Sequence, residues 1–338
     1  MTKIVYLAED QKRISMPVIQ KSLDRIETLR HFNDPDLKVV TEKAENISKY
    51  SREAYSIIRD RSVLIRVALE NFENSDVAEV ISELNLALTE VTSEEDKADL
   101  QEQINLLVED SKDEIRGIVD LYEEGASSLK LKTTAIYKVA IRELCEDLIP
   151  KNQLRLKKRE EELALLENEK KELEKDAEKI RDALDVINEK KLADSFKDLM
   201  PENLDKMLEG KATPSEAEII KYGVNAGLKF IESTEEGLNA ESLRETRDYL
   251  VGRIEEVEGY ISSKKEEIRL VTTRLDTCKQ GIELEDNKDC FVEQCDMIVA
   301  HWQMVAQTIR DNSLSSKKEQ DQFNQLVGQE KEFLSKLV

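Results

Sequence analysis

The side chains best able to do chemistry are two histidines, His31 and His301, and four cysteines, Cys145, Cys278, Cys290 and Cys295. Nucleophilic or metal chemistry needs such groups to converge, with a base or carboxylate within hydrogen-bond reach. A metal-dependent or thiol enzyme would draw on Cys290, Cys295 and His301. Steps of five and six residues along one helix turn those side chains in different directions. CxxC, HExxH, GxSxG, P-loop and GxGxxG patterns are absent. The cysteines read as buried free thiols, the histidines as packed or surface residues, and most carboxylates as solvated partners of Lys or Arg three or four positions away. The expectation is no enzyme, no metal and no cofactor.

The chemistry left to the chain is exchange of surroundings, from water and protein to lipid, and it concentrates in residues 192–239. Thr213-Pro214-Ser215-Glu216 opens a helix with a Thr N-cap, Pro at N1 and Glu at N3, a capping box. At about 100° per residue, the polar residues Glu218, Lys221, Asn225, Lys229 and Glu232 share one narrow arc. Ile219, Ile220, Gly223, Val224, Ala226, Gly227, Leu228, Phe230 and Ile231 fill the opposite side, predicting an amphipathic helix over 216–233. An incoming arm carries Leu192, Phe196, Leu199 and Met200 up to Pro201, then Leu204, Met207 and Leu208 up to Gly210. Each arm of about 17 residues would measure roughly 25 Å as a helix, close to a hydrocarbon core of about 30 Å. One such helix cannot span alone, because its polar stripe would face lipid. A ring of hairpins turns the stripe toward a watery lumen. Gly223 and Gly227 form a G-x-x-x-G on the apolar face, which permits close helix contact. The same pattern also suits two arms folded on each other as a small capping bundle.

Long helices must carry this stretch. Residues 153–191 step through Leu156, Leu163, Leu166, Leu173, Ala177, Ile180, Leu184 and Ile187 in threes and fours, with Arg159, Lys170 and Lys191 in the remaining seam slots. Gly237-Leu238-Asn239 supplies a helix stop and a new cap, and a matching run follows, from Leu243 through Leu250, Ile254, Val257, Ile261, Ile268, Val271 and Leu275 to Cys278 and Ile282. Two heptad runs flanking one insert predict an antiparallel coiled-coil hairpin with the insert at its far end. Before it, the pattern predicts helices over 11–31, from Asp34-Pro35 to about Asn71, and from Val77 to Leu88. A long run capped by Thr92-Ser93-Glu94-Glu95 then reaches Leu148, with a bend at Gly125–Ser128 and a close or kink at Ile149-Pro150. The cluster Val63-Leu64-Ile65 and Val67-Ala68-Leu69 reads as central in a bundle. A separate, wetter helix over 289–312 has the seam Phe291, Cys295, Ile298, Trp302, Val305 and Ile309, and a last helix covers 317–337. The fold class is therefore all-α: an elongated tail bundle (1–152 and 286–338), a coiled-coil neck (153–191 and 240–285) and a small amphipathic head (192–239).

Composition agrees. Charged residues make up 37% of 338, with only 5 Pro and 10 Gly, as long helices require. A net charge of −22 opposes nucleic acid and simple adhesion to anionic lipid. The opening MTKIVYLAEDQKRIS lacks a secretory h-region, and no run of 18 apolar residues predicts a constitutive span.

This order of parts, with the helix CDMIVAHWQMVAQTIRD and its single tryptophan, resembles the B component of the xenorhabdolysin-type binary α-pore-forming toxins, relatives of cytolysin A. The likeness is architectural and spans nearly the whole chain. Cytolysin A's markedly apolar β-tongue has no equivalent here. The resemblance implies a cytolysin subunit made in a bacterial cytoplasm as a soluble monomer and released. It would join an A-type component in a hetero-oligomeric ring on a target-cell membrane and extend its head through the lipid. On that reading Ile219, Ile220, Val224, Leu228, Phe230 and Ile231 face lipid, supported by Phe196, Leu199, Met200, Leu204, Met207 and Leu208. Lys221, Asn225 and Lys229 line the pore. The competing expectation is a scaffolding coiled coil whose tip binds a partner protein.

Overall fold

The computed structural model describes residues 11–32, 37–74, 77–193, 201–230, 239–311 and 317–338, excluding the side chains of 74, 77–79, 82, 201–202 and 317–321. Every regular element among them is helical: α1 (Met16–Leu29), α2 (Lys38–Asn74), α3 (Val77–Glu90), α4 (Glu94–Tyr137), α5 (Arg142–Glu189), α6 (Pro201–Leu208), α7 (Pro214–Leu228), α8 (Ala240–Arg310) and α9 (Lys317–Lys336). The expected all-α class holds. The chain forms two compact units, 1–148 with 276–338, and 149–275, whose boundaries fall within α5 and α8.

In the first unit α2 packs against α1, α4 and α9, and α3 against α4. The core is built from Ile47, Ile58, Ile65 and Leu69 of α2, Tyr122 and Leu129 of α4, the full expected seam of α8 from Phe291 to Ile309, and Phe323 and Leu334 of α9. Phe72 meets Phe323 edge-on at 5.2 Å. Details differ from the expectation where neighbours decide. In α2, Ile65 and Leu69 are buried, but Leu64 and Val67 stay exposed, so that helix is covered on one side rather than all round. The α4 cap is Ser93, one residue later than expected, and its hydroxyl accepts from Asp96 N. The cap expected at Asp34 lies outside the described residues.

The long run does not end at Ile149-Pro150. It breaks at 138–141, and Pro150 sits inside α5. α4 runs on continuously through Gly125–Ser128. Gly125 faces Trp302, whose ring would lie 3.1 Å from an added Cβ, so the glycine makes room for the indole. The break at 138–141 is held by Glu285 of α8, which accepts from Ile141 N (2.6 Å) and Arg142 N while Lys288 Nζ donates to it at 2.9 Å. Burial works to raise the Glu285 carboxyl, but the Lys288 ammonium and the two N–H donors hold it below the ordinary range. The seam expected as a separate helix over 289–312 is instead the continuation of α8, which runs 71 residues unbroken. Gly281 does not stop it. An added Cβ there would lie 2.9 Å from Cys145 Sγ and 3.1 Å from Ile141.

A buried polar knot ties four segments of this unit together. Glu330 of α9 accepts from Tyr122 (3.1 Å) and Gln11 (2.7 Å) and lies 2.9 Å from His301 Nε2. Phe333 packs edge-on against the imidazole. His301 is thus a packed core residue. Cys295 is also buried while Cys290 is exposed, and none of the four cysteines is in a disulfide. Burial and the neighbouring Cys278 thiol push Cys145 up to about 12.

In the second unit α5 and α8 run antiparallel. Asn188 meets Arg244 (3.0 Å), Glu169 meets Arg253 (3.3 Å), Lys170 meets Glu258 (2.7 Å) and Arg159 meets Glu267 (2.8 Å), so numbers rise on one helix as they fall on the other. The seam slots filled by Arg159 and Lys170 are these cross-helix ion pairs. Two helices alone cover each other only in part: Leu163, Leu166 and Leu173 are half-buried, whereas Ile180, Leu184 and Ile187 are buried. The change marks where further helices join.

Candidate membrane-inserting head

α5 ends in a Schellman turn. Leu192 N donates to Ile187 O at 2.9 Å, and Lys191 takes a left-handed backbone with φ of 50°. Leu192 closes the turn against the core shared with Ile187. On the return, Asn239 caps α8 by accepting from Ser242 N at 2.8 Å. Between these stops, α6 covers 201–208 and turns at Gly210 (φ 75°). The Thr213 capping box forms as expected. Glu216 N donates to Thr213 Oγ1, and Thr213 N donates to Glu216 at 2.8 Å.

α7 is shorter than its sequence suggests. α7 stops at Leu228, with Lys229 and Phe230 in the turn, and α6 has 8 residues. Among the described residues no helix is long and apolar enough to cross a membrane. Phe196, Leu199, Met200 and Ile231 lie outside the described residues. Leu204, Leu208, Ile220 and Val224 are buried in one core with Ile180, Leu184 and Ile187 of α5 and Leu243 of α8. Met207, Leu228 and Phe230 pack half-buried against it, and Ile219 is half-exposed. α6 and α7 touch each other, but the apolar face of α7 is also seated on the long helices.

Gly223 explains the closeness of that seat. A Cβ added there would fall 2.3 Å from Ala183 Cβ and 2.7 Å from Lys179 O, so the helices meet with only hydrogen between them. Gly227 is buried on the same helix.

The polar arc supplies a few ionic ties. Lys229 Nζ donates to Asp176 Oδ2 at 2.8 Å, and Lys179 to Oδ1 of the same carboxylate at 2.9 Å. Asp176 is almost fully covered. Its burial opposes ionisation, yet the two ammonium groups hold its pKa below the usual value. Glu216 pairs with Lys190 at 3.0 Å, and Lys221 with Asp205. Asn225 is exposed. Nothing in the sequence marks Asp176 as an anchor, because an acid among many on α5 is singled out only by what packs over it.

No family model and no curated protein sequence matches the chain. Solved structures do. The chain has the fold of a helical pore-toxin component. XaxB from Xenorhabdus nematophila is 23% identical, with a TM-score of 0.84 over 96% of this chain and 97% of that one. PaxB from Photorhabdus luminescens is 22% identical, with a TM-score of 0.82 over 96% of each chain. A chain of the YaxAB pore complex is 24% identical, with a TM-score of 0.70 over 94% of this chain and 98% of that one.

Proposed function

We propose that this chain is one subunit of a two-component α-helical pore-forming toxin, assembling with an A-type component on a target membrane and inserting residues 192–239. The observation that carries the reading is the full-length fold match to XaxB and PaxB, together with a head in which an amphipathic helix rests its apolar face on the coil. In this reading 149–191 and 240–275 form the neck and the other unit the tail. Secretion and action at a host membrane follow from the same reading.

Part of the proposed lipid-facing set is already gathered and covered in the head. Ile220 and Val224 of α7 and Leu204 and Leu208 of α6 form one apolar surface. Insertion exchanges α5 for acyl chains on that surface, at little net cost in apolar burial, because hydrocarbon receives apolar side chains as well as a protein core does. Release of Lys229 from Asp176 and of Glu216 from Lys190 frees both ends of α7. Lys221, Asn225 and Lys229 then face the lumen. Completing a span requires α7 to lengthen beyond Leu228, since 15 residues give about 22 Å against a hydrocarbon core of about 30 Å.

The test keeps the buried core intact. A bimane label is placed at half-buried Leu228 or at exposed Asn225. The protein is mixed with an A-type component from the same source organism on vesicles containing brominated lipid. Dye release should accompany quenching at 228 by bromine and at 225 by aqueous iodide. Vesicle lysis with 228 never reached by bromine would remove the head from the inserting role. No lysis at all would favour a scaffolding coiled coil.

A further inference from the structure

The acidic chain carries a belt of the opposite sign. Acids outnumber Lys and Arg by 73 to 51 overall, yet residues 149–159 of α5 contain Lys151, Arg155, Lys157, Lys158 and Arg159 and no acid. The stretch of α8 at 268–275 contains Arg269 and Arg274, again with no acid. The antiparallel register brings the two stretches together, and a groove of about 410 Å³ opens between them, lined by Arg155, Arg159, Arg274, Leu270, Val271 and Glu267. Leu270 is 47% exposed at its edge, and Leu154 beside Arg155 is 71% exposed. Arg159 is engaged with Glu162 and Glu267, and Arg269 with Glu266. Arg155 makes no ion pair among the described residues.

We infer that this groove is a contact surface for a second copy of the same chain, taking carboxylates on an exposed helix face of the neighbour. The inference rests on the assembly reading above. Guanidinium forks recognise carboxylates in two-point contacts, and the exposed leucines suit the aliphatic stems of Glu on a helix. The rest of this chain is rich in such faces, so one copy supplies both the basic groove and its acidic complement. A lipid headgroup is the poorer occupant. Ile187, where the head docks, lies thirty-two residues along α5 from Arg155, about 48 Å at helical rise. That distance keeps the groove clear of a bilayer reached by the head.

The test places p-benzoylphenylalanine at Leu270 in an equal mixture of isotopically heavy and light full-length chain. The mixture is irradiated on phosphatidylcholine vesicles with and without the A-type component. Adducts joining heavy to light chains through Asp/Glu-rich peptides are expected. Their yield should fall by about tenfold or more in R155E/R274E and with rising NaCl, as screened charge pairs do. Circular dichroism checks that the variant folds. If it does not, the NaCl series on the parent chain decides. Adducts to lipid, to the A-type component alone, within one chain only, or none at all overturn the inference, as does a yield indifferent to charge and salt. Heavy-to-light adducts without vesicle lysis would leave the groove standing and the toxin reading fallen.

Discussion

Gly223 and Asp176 govern how firmly the head is seated. Gly223→Ala forces a methyl into Ala183 and the Lys179 carbonyl, and backbone cannot yield as a side-chain tip does. Overpacking of this kind costs about 1–3 kcal/mol. Amide exchange should speed up over 214–228 while the first unit keeps its protection; unchanged exchange would show that the helices slide apart freely. Asp176 sets a pH window. Its folded pKa lies below the ordinary 3.8, so the carboxylate contributes stability in full above that value and loses it as pH falls through the lowered one. Exchange in α7 should therefore be flat from pH 8 to 5 after correction for intrinsic rates. It should rise only below about 4. An Asp176→Asn chain should show the loosened behaviour already at neutral pH.

At the scale of the element, breaks are set by partners as much as by breakers. α5 passes through Pro150, while the break before it is held by Glu285. Glu285→Ala would leave the Ile141 and Arg142 N–H groups without their acceptor, and the buried Lys288 ammonium with only the Val139 carbonyl and Asp289. Removing one member of a buried charged network costs about 3–5 kcal/mol. A drop in thermal stability of that size, with α-helical content kept at low temperature, is the expected outcome. A change under about 0.5 kcal/mol would mean water replaces the carboxylate there. The sequence announced the capping box at Thr213 and the cap at Asn239, because caps are local arrangements of three or four residues. It placed the break near Pro150 and split α8 before 289. A helix tolerates proline when tertiary packing holds its flanks, and nothing between 240 and 310 combines a cap with a stop.

Across the whole molecule, charge decides behaviour in solution. With a sequence pI near 4.8 and a net charge of −22 at neutral pH, copies repel one another in dilute buffer. Light scattering should pass through a maximum near pH 4.8 and fall again above pH 6. A chain equally dispersed across that range would show that charge is not what keeps copies apart. A cationic belt within so acidic a surface gives association a place where that repulsion is locally reversed.

The amino-acid order by itself determined the helices, the antiparallel pairing of two heptad runs and the two-sided character of α7, because each is a periodic or short-range property of the chain. Tertiary structure alone decided that α7 lies on α5 through a glycine with no room for a methyl, that Asp176 among many acids is the one covered by Lys229, and that α7 ends at Leu228. Those outcomes depend on which distant surface covers a face. Periodicity records that a face will be covered and is silent about what will cover it.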